Sequence, residues 1–288
     1  MRTVRHAIRA LLLLAALSAG GCGADFAPAS VLDGLRVLAI EAEPLEVGPG
    51  EELRLEPVVY LPPDDEVAAQ SWTFCPFTLG AQAGYECAVP ECEQQLAAGA
   101  DGALESEPFA LAVACAERFA GEQPPQGLPE ELPERIEMSY RYRVSTTSGA
   151  ARQAVMRVPV YPEGVDEPRN GPPRIAEVRI AGEPVSAGQR LAPVGAEDEL
   201  LLRLAVEPGS MDAYTDPAGR ELVEEPIVSL FASAGRFEIE RAAGLEVEVA
   251  WRAKKLEPGQ TEAVLYAVVR DLRGGQAVAG PYWIPILR

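Results

Sequence analysis

The chain has a single histidine, His6, and no histidine follows it. A mature chain without imidazole cannot build a Ser-His-Asp or Cys-His nucleophilic site, a His-ligated zinc centre or a histidine base. It also lacks a G-x-S-x-G elbow, a G-x-x-x-x-G-K-[ST] loop and a G-x-G-x-x-G turn after a strand, so phosphate-cradling chemistry has no motif to carry it. Lysine is confined to Lys254 and Lys255, and the formal net charge is −19. A surface so acidic repels nucleic acid and anionic headgroups alike, which excludes polynucleotide partners and attachment through a basic patch. Solubility is the plain reading of that acidity.

What the N-terminus does contain is an export signal. Arg2, Arg5 and Arg9 occur with no acid among them, and Ala10 to Ala24 then runs uncharged for 15 residues through Leu11–Leu14. That run falls short of the roughly 20 residues a helix needs to cross a bilayer, which favours cleavage over a retained span. It ends in Ser18-Ala19-Gly20-Gly21-Cys22, which resembles the lipobox of bacterial lipoproteins. Ala19 departs from the leucine most frequent there, and Leu17 lies two residues upstream. The resemblance implies removal of residues 1–21 and acylation of Cys22 by chains such as palmitate, each buried CH₂ contributing about 0.8 kcal/mol to membrane attachment. Loss of the three signal arginines takes the charge from −19 to −22. Gly23, rather than Asp, after the cysteine points to the outer membrane, facing the periplasm or the surface. An ordinary secretory signal cut near Ala19 or Gly21, leaving Cys22 a free thiol, is the competing reading.

Five cysteines make an odd set, and acylation of Cys22 resolves it. Cys75, Cys87, Cys92 and Cys115 then remain as an even set in an oxidising compartment, consistent with two disulfides in any of three connectivities. Their spacings of 11, 4 and 22 intervening residues lack the C-x₂-C pairs of a zinc site, and no metal or cofactor is expected. Asp64-Asp65-Glu66 and Asp212, Asp216 and Glu221 are the clusters most like calcium ligands. Neither follows the D-x-[DN]-x-[DN]-G alternation, so they read as solvated turn acids.

The dominant hydrophobic period is two, the mark of half-buried strands. Ile136, Met138, Tyr140, Tyr142 and Val144 alternate with polar neighbours. Leu200, Leu202, Leu204 and Val206 do the same, as do Leu245, Val247, Val249 and Trp251. Further strands are expected at 35–43, 53–61, 71–75, 154–161, 174–181, 227–232 and 263–270. Each half opens with a strand, a Glu-Pro pair (Glu43-Pro44, Glu183-Pro184), a glycine (Gly48, Gly188) and a second strand, an arrangement expected to carry the chain to the opposite sheet. Each half closes with a hairpin, one around Ser148-Gly149 and one around 271–275.

This order resembles the immunoglobulin-like domains repeated on bacterial surface proteins, although the Cys, Trp, Cys spacing of true immunoglobulin domains is absent. The resemblance implies an all-β chain of two antiparallel β-sandwiches in tandem. A tether at 22–31 precedes a first domain at 32–162, and a Pro/Gly-rich linker at 163–173 leads to a second domain at 174–288. The first is interrupted by a disulfide-stapled insertion at 76–133, with a short helix at 109–119 and an exposed loop at 123–132. Trp72 and Trp251 are read as core residues rather than a sugar-stacking platform, and one of Tyr282 and Trp283 should face outward. The expected protein is non-enzymatic: a lipid-tethered arm presenting its insertion to an envelope protein or polysaccharide. A structural spacer in an envelope assembly is the alternative. A carboxylate-dependent glycan hydrolase is less favoured, because nothing marks an acid pair.

Overall fold

The computed structural model describes residues 29–119, 134–164, 169–216, 218–253, 256 and 259–287. The first half contains β1 (Arg36–Glu43), β2 (Leu53–Tyr60), β3 (Val67–Cys75), β4 (Gln94–Leu96), β5 (Leu104–Ser106), α1 (Pro108–Glu117), β6 (Ile136–Thr146) and β7 (Ala151–Val160). These form the sheets β1-β2-β5 and β4-β3-β6-β7. Period-two patterning explains the layers, because the inward residues of β6 (Met138, Tyr140, Tyr142, Val144) meet Ile40, Leu53 and Leu55 of the facing sheet in one core. Trp72 is fully buried there, and its indole N–H donates to the Gly102 carbonyl at 2.8 Å, which satisfies the one polar atom the ring takes out of water.

The second half contains β8 (Ile175–Ile180), β9 (Glu183–Pro184), β10 (Val194–Gly195), β11 (Glu199–Val206), β12 (Ala213–Thr215), β13 (Glu221–Val223), β14 (Ile227–Ala232), β15 (Arg236–Phe237), β16 (Arg241–Ala243), β17 (Glu246–Arg252), β18 (Glu262–Arg270) and β19 (Gln276–Leu287). Its sheets run β15-β17-β11-β8-β9 and β10-β19-β18-β14-β16, with β12-β13 a separate ribbon. Trp251 fills this core and donates to the Ala234 carbonyl at 3.1 Å. The chain is thus all-β, two immunoglobulin-like antiparallel sandwiches, with a disulfide-stapled segment in the first.

The crossing expected after each first strand is made, but only briefly. β1 and β2 pair with each other from Arg36↔Tyr60 to Glu43↔Arg54. Between them Val47 reaches the opposite sheet, bridging in parallel to Val160, with Val47 N–H to the Pro159 carbonyl at 3.1 Å and Tyr161 N–H to the Val47 carbonyl at 3.0 Å. In the second half Val194 and Gly195 add to β19 in the same way, and β11 then returns to pair with β8. A short parallel segment thus closes each sandwich, while the second strand stays in the sheet of the first. Glu183-Pro184 departs further, since the chain reverses ahead of it, at Ala181-Gly182, and the Glu-Pro pair is itself the edge strand β9.

The insertion expected at 76–133 adds two short strands to the sandwich, β4 pairing with β3 and β5 with β2; the loop expected at 123–132 lies outside the described residues. The two halves are not strung out as an arm. Leu38, Ala39 and Tyr60 on the outer face of β1-β2 pack against Val264, Tyr266 and Val268 on the outer face of β18, giving four stacked sheets. Tyr60 and Tyr266 meet edge to face, 6.4 Å between ring centres. Trp283, adjacent to the core residue Tyr282, packs onto this same cluster, so the outward one of the pair covers the seam.

Candidate binding cleft

The linker is where the two halves are joined by polar groups. Asn170 is buried. Its backbone N–H donates to Glu46 Oε2 at 3.1 Å, its amide to Asp271 Oδ2 at 3.2 Å, and its carbonyl oxygen accepts from Arg273 Nη1 at 3.1 Å. Gly171 N–H donates to Asp212 at 2.9 Å, and Asp212 N–H to Glu224 at 2.9 Å. Arg169 pairs with Glu51 across the same joint. A Pro/Gly-rich stretch that composition marks as a linker is therefore fastened to both sandwiches.

Burial raises the carboxyl pKa of Glu224, against the hydrogen bond from Asp212 and the pull of Arg273 and with a push from Asp271. Burial likewise raises that of Asp271, although the backbone of the turn and Asn170 donate to it. Asp271 opens the β18–β19 turn by accepting Arg273 N–H at 2.7 Å and Gly275 N–H at 2.8 Å. The turn lifts Leu272, a residue 67% exposed, into a left-handed backbone with φ 68. Such a conformation costs a non-glycine residue energy and concentrates at functional sites.

Over this joint lies a cleft of about 520 Å³. One wall is the edge strand β7, through Val155, Arg157 and Pro159; the other is Tyr214, Leu272 and Arg273 of the second half. Arg273 stacks over the Tyr214 ring at 4.9 Å and donates to Glu224 at 2.9 Å. Arg135 and Arg157 share one carboxylate, Glu137, at 3.4 and 2.6 Å. The same three residues line an adjoining depression of about 450 Å³ under the Phe77–Ala88 loop. A third cavity, about 670 Å³, lies at the seam beside Tyr60, Asp64 and Glu262, and Glu262 is engaged there by Arg190 at 2.6 Å.

The sequence-derived candidates fall as follows. Cys75 bonds Cys87 and Cys92 bonds Cys115, which settles the connectivity. The first disulfide closes the loop that lines the adjoining depression; the second fixes α1 to the turn at Pro90–Cys92. Cys22 lies outside the described residues. Asp65 accepts from Ser148 Oγ at 2.6 Å and Thr147 Oγ1 at 3.1 Å, and these hydrogen bonds hold its carboxyl below the usual range. Asp216 pairs with Arg220, while Asp212 belongs to the linker joint. Among the described residues no group of three or more His, Cys, Asp or Glu is placed to hold a metal ion. Composition missed the cleft because its walls come from β7 and from residues 55 or more positions later, Tyr214 on β12 and the turn at Leu272 and Arg273. The local signal was present: residues 135–160 carry five arginines and one acid, Glu137, in a chain of net charge −19.

No protein-family model matches the chain, and no curated protein aligns with it. Among solved structures it is similar to the D00-D0 domain of intimin, with 8% identity, 88% of this chain and 99% of that chain covered, and a TM-score of 0.25. It is similar also to a Corynebacterium diphtheriae protein described as membrane anchored, with 11% identity, 88% and 59% coverage, and a TM-score of 0.23. A third is dimeric latent PorU from Porphyromonas gingivalis, with 13% identity, 88% and 34% coverage, and a TM-score of 0.22. With similarities at this level, the fold rests on the strand ladders and cores described above. No helix among the described residues is long and apolar enough to cross a membrane.

Proposed function

We propose that the chain is a non-enzymatic binding module of the bacterial cell envelope, held by acyl chains on Cys22 at the outer membrane and engaging an envelope protein or polysaccharide. The observation that carries this reading is the joint itself. Two sandwiches fused face to face, with the linker fastened to both, hold a cleft whose walls come from different halves. A cleft fixed in this way binds without first ordering its walls, which is what preorganisation contributes to affinity. The spacer alternative draws less support, because stacking the sandwiches side by side shortens the reach that two domains in line would give.

The test begins with the full chain in its own host. Intact mass should show loss of residues 1–21 and the added mass of acyl chains, and Cys22→Ser should move the protein from the membrane to the soluble fraction. Crosslinking in living cells should then trap a partner at fixed stoichiometry. An unacylated wild-type protein in the soluble fraction would overturn the anchor, and an absence of any crosslinked partner would overturn the binding role.

A further inference from the structure

We infer that β7 is a docking edge for an extended acidic peptide segment of a partner protein, laid into the cleft as an added strand. This names the site and partner class for the binding role proposed above and rests on that reading. Of the described strands with eight or more residues, β1 and β7 end a sheet. The second half closes over β1, with Arg270 donating to the Leu38 carbonyl at 2.9 Å and Val278 N–H donating to the Glu41 side chain at 2.9 Å. β7 is ten residues long; among the described residues β1 lies close to it without pairing, and the one backbone bridge along its outer edge is to Val47, at its C-terminal end.

The register says which groups are open. The pairs Thr146↔Ala150 and Val160↔Ile136 turn the even-numbered residues of β7 toward β6. The odd-numbered ones therefore turn outward, as the Pro159 carbonyl and the Tyr161 N–H, both bonded to Val47, confirm. Gln153, Val155 and Arg157 thus present N–H and C=O to the free edge, with no backbone partner among the described residues. Pro159, which has no N–H to offer, stands where Val47 already closes the ladder. An unpaired ladder of this kind is a template for another strand, and Val155 and Arg157 place it in the wall of the cleft.

Charge selects the occupant. Residues 135–160 carry five arginines in a chain that is otherwise strongly acidic; Arg135 and Arg157 line the cleft and divide Glu137 between them, while Glu46, the other carboxylate of the lining, already accepts from Asn170 N–H. Acidic residues at alternate positions of an added strand would meet this surplus. The exposed leucine at 272 offers an apolar contact beside them.

The probes are a ten-residue synthetic peptide alternating valine and glutamate, its counterpart with lysine for glutamate, and the glutamate peptide N-methylated at alternate residues. Calorimetric titration of the full soluble chain carrying Cys22→Ser should show the glutamate peptide binding, with either change weakening it by about tenfold or more. Val155→Pro, which removes one outward N–H at an edge that already tolerates Pro159, should weaken binding by a similar factor with the circular dichroism spectrum unchanged. Arg157→Glu should weaken it as well and reduce its salt dependence. Equal binding of the N-methylated peptide, or none of the glutamate peptide, overturns the proposal; the N-methylated arm does so without any variant having to fold. In cells, a Val155→Pro protein that still crosslinks its partner refutes the edge and leaves the binding role standing. Loss of that partner from Val155→Pro, with wild type retaining it, supports both.

Discussion

At the residue scale, the joint is governed by carboxylates that the fold has taken out of water. Glu224 is the most consequential, because its side chain is fully buried against Arg273 and yet its pKa stands above the ordinary 4.5. Desolvation of the anion outweighs the guanidinium beside it. A carboxyl whose folded pKa exceeds its unfolded one binds its proton more tightly in the native state. Its contribution to stability is therefore complete below pH 4.5 and is lost as the pH rises through the folded value. Asp271, raised for the same first cause, adds to this trend, whereas carboxylates held low by hydrogen bonds, such as Asp65, act oppositely at lower pH. Comparison with Glu224→Gln, which cannot titrate, isolates one site. Urea unfolding between pH 4.5 and 7.5 should show the wild type losing stability relative to the variant as the pH rises. A wild type that gains on the variant over that range would mean that the Arg273 pairing dominates.

At the scale of elements, the disulfides compensate for strands too short to hold themselves. β4 and β5 have three residues each, and α1 buries little beyond Pro108 and Cys115, although Phe109, Leu111 and Ala112 lie against the core. Cys92 and Cys115 close a loop with a sequence separation of 23, for which the chain-entropy argument gives about 3 kcal/mol. The double variant Cys92→Ala/Cys115→Ala should lose about that much and become open to proteolysis within 90–117 in the native state. The β6–β7 hairpin and the second half should keep their hydrogen-exchange protection. Uniform loss of protection would show that α1 is integral to the core rather than fastened onto it. The sequence made the long strands legible because one wet face imposes alternation, as in Ile136 to Val144. It did not disclose β4 or β5, since three residues cannot display a period. The cleft was illegible for another reason: its walls are 55 or more residues apart in sequence, and only the arginine run at 135–157 marked one of them.

At the scale of the whole molecule, the stacking of the two sandwiches was written in β18, whose Ala263 to Val269 is apolar at every position. A strand with one solvated face alternates; an unbroken run means that both faces are covered. Ala263, Leu265, Ala267 and Val269 enter the core of the second half, while Val264, Tyr266 and Val268 face the first. The Glu46–Asn170–Asp271 bonds and the Arg270–Leu38 bond close the seam, so the halves should unfold together. Val268 is fully buried at the seam and points away from its own core. Val268→Asp would therefore place a carboxylate between the sandwiches, costing several kcal/mol at the interface, while leaving the packing around Trp251 intact. Scanning calorimetry should give one transition for the wild type and two for the variant, with Trp72 reporting the first half and Trp251 the second. If the wild type already unfolds in two steps, the halves are independent and the cleft between them is not fixed. If Val268→Asp keeps a single transition at a lower temperature, the polar joint alone is enough to couple them.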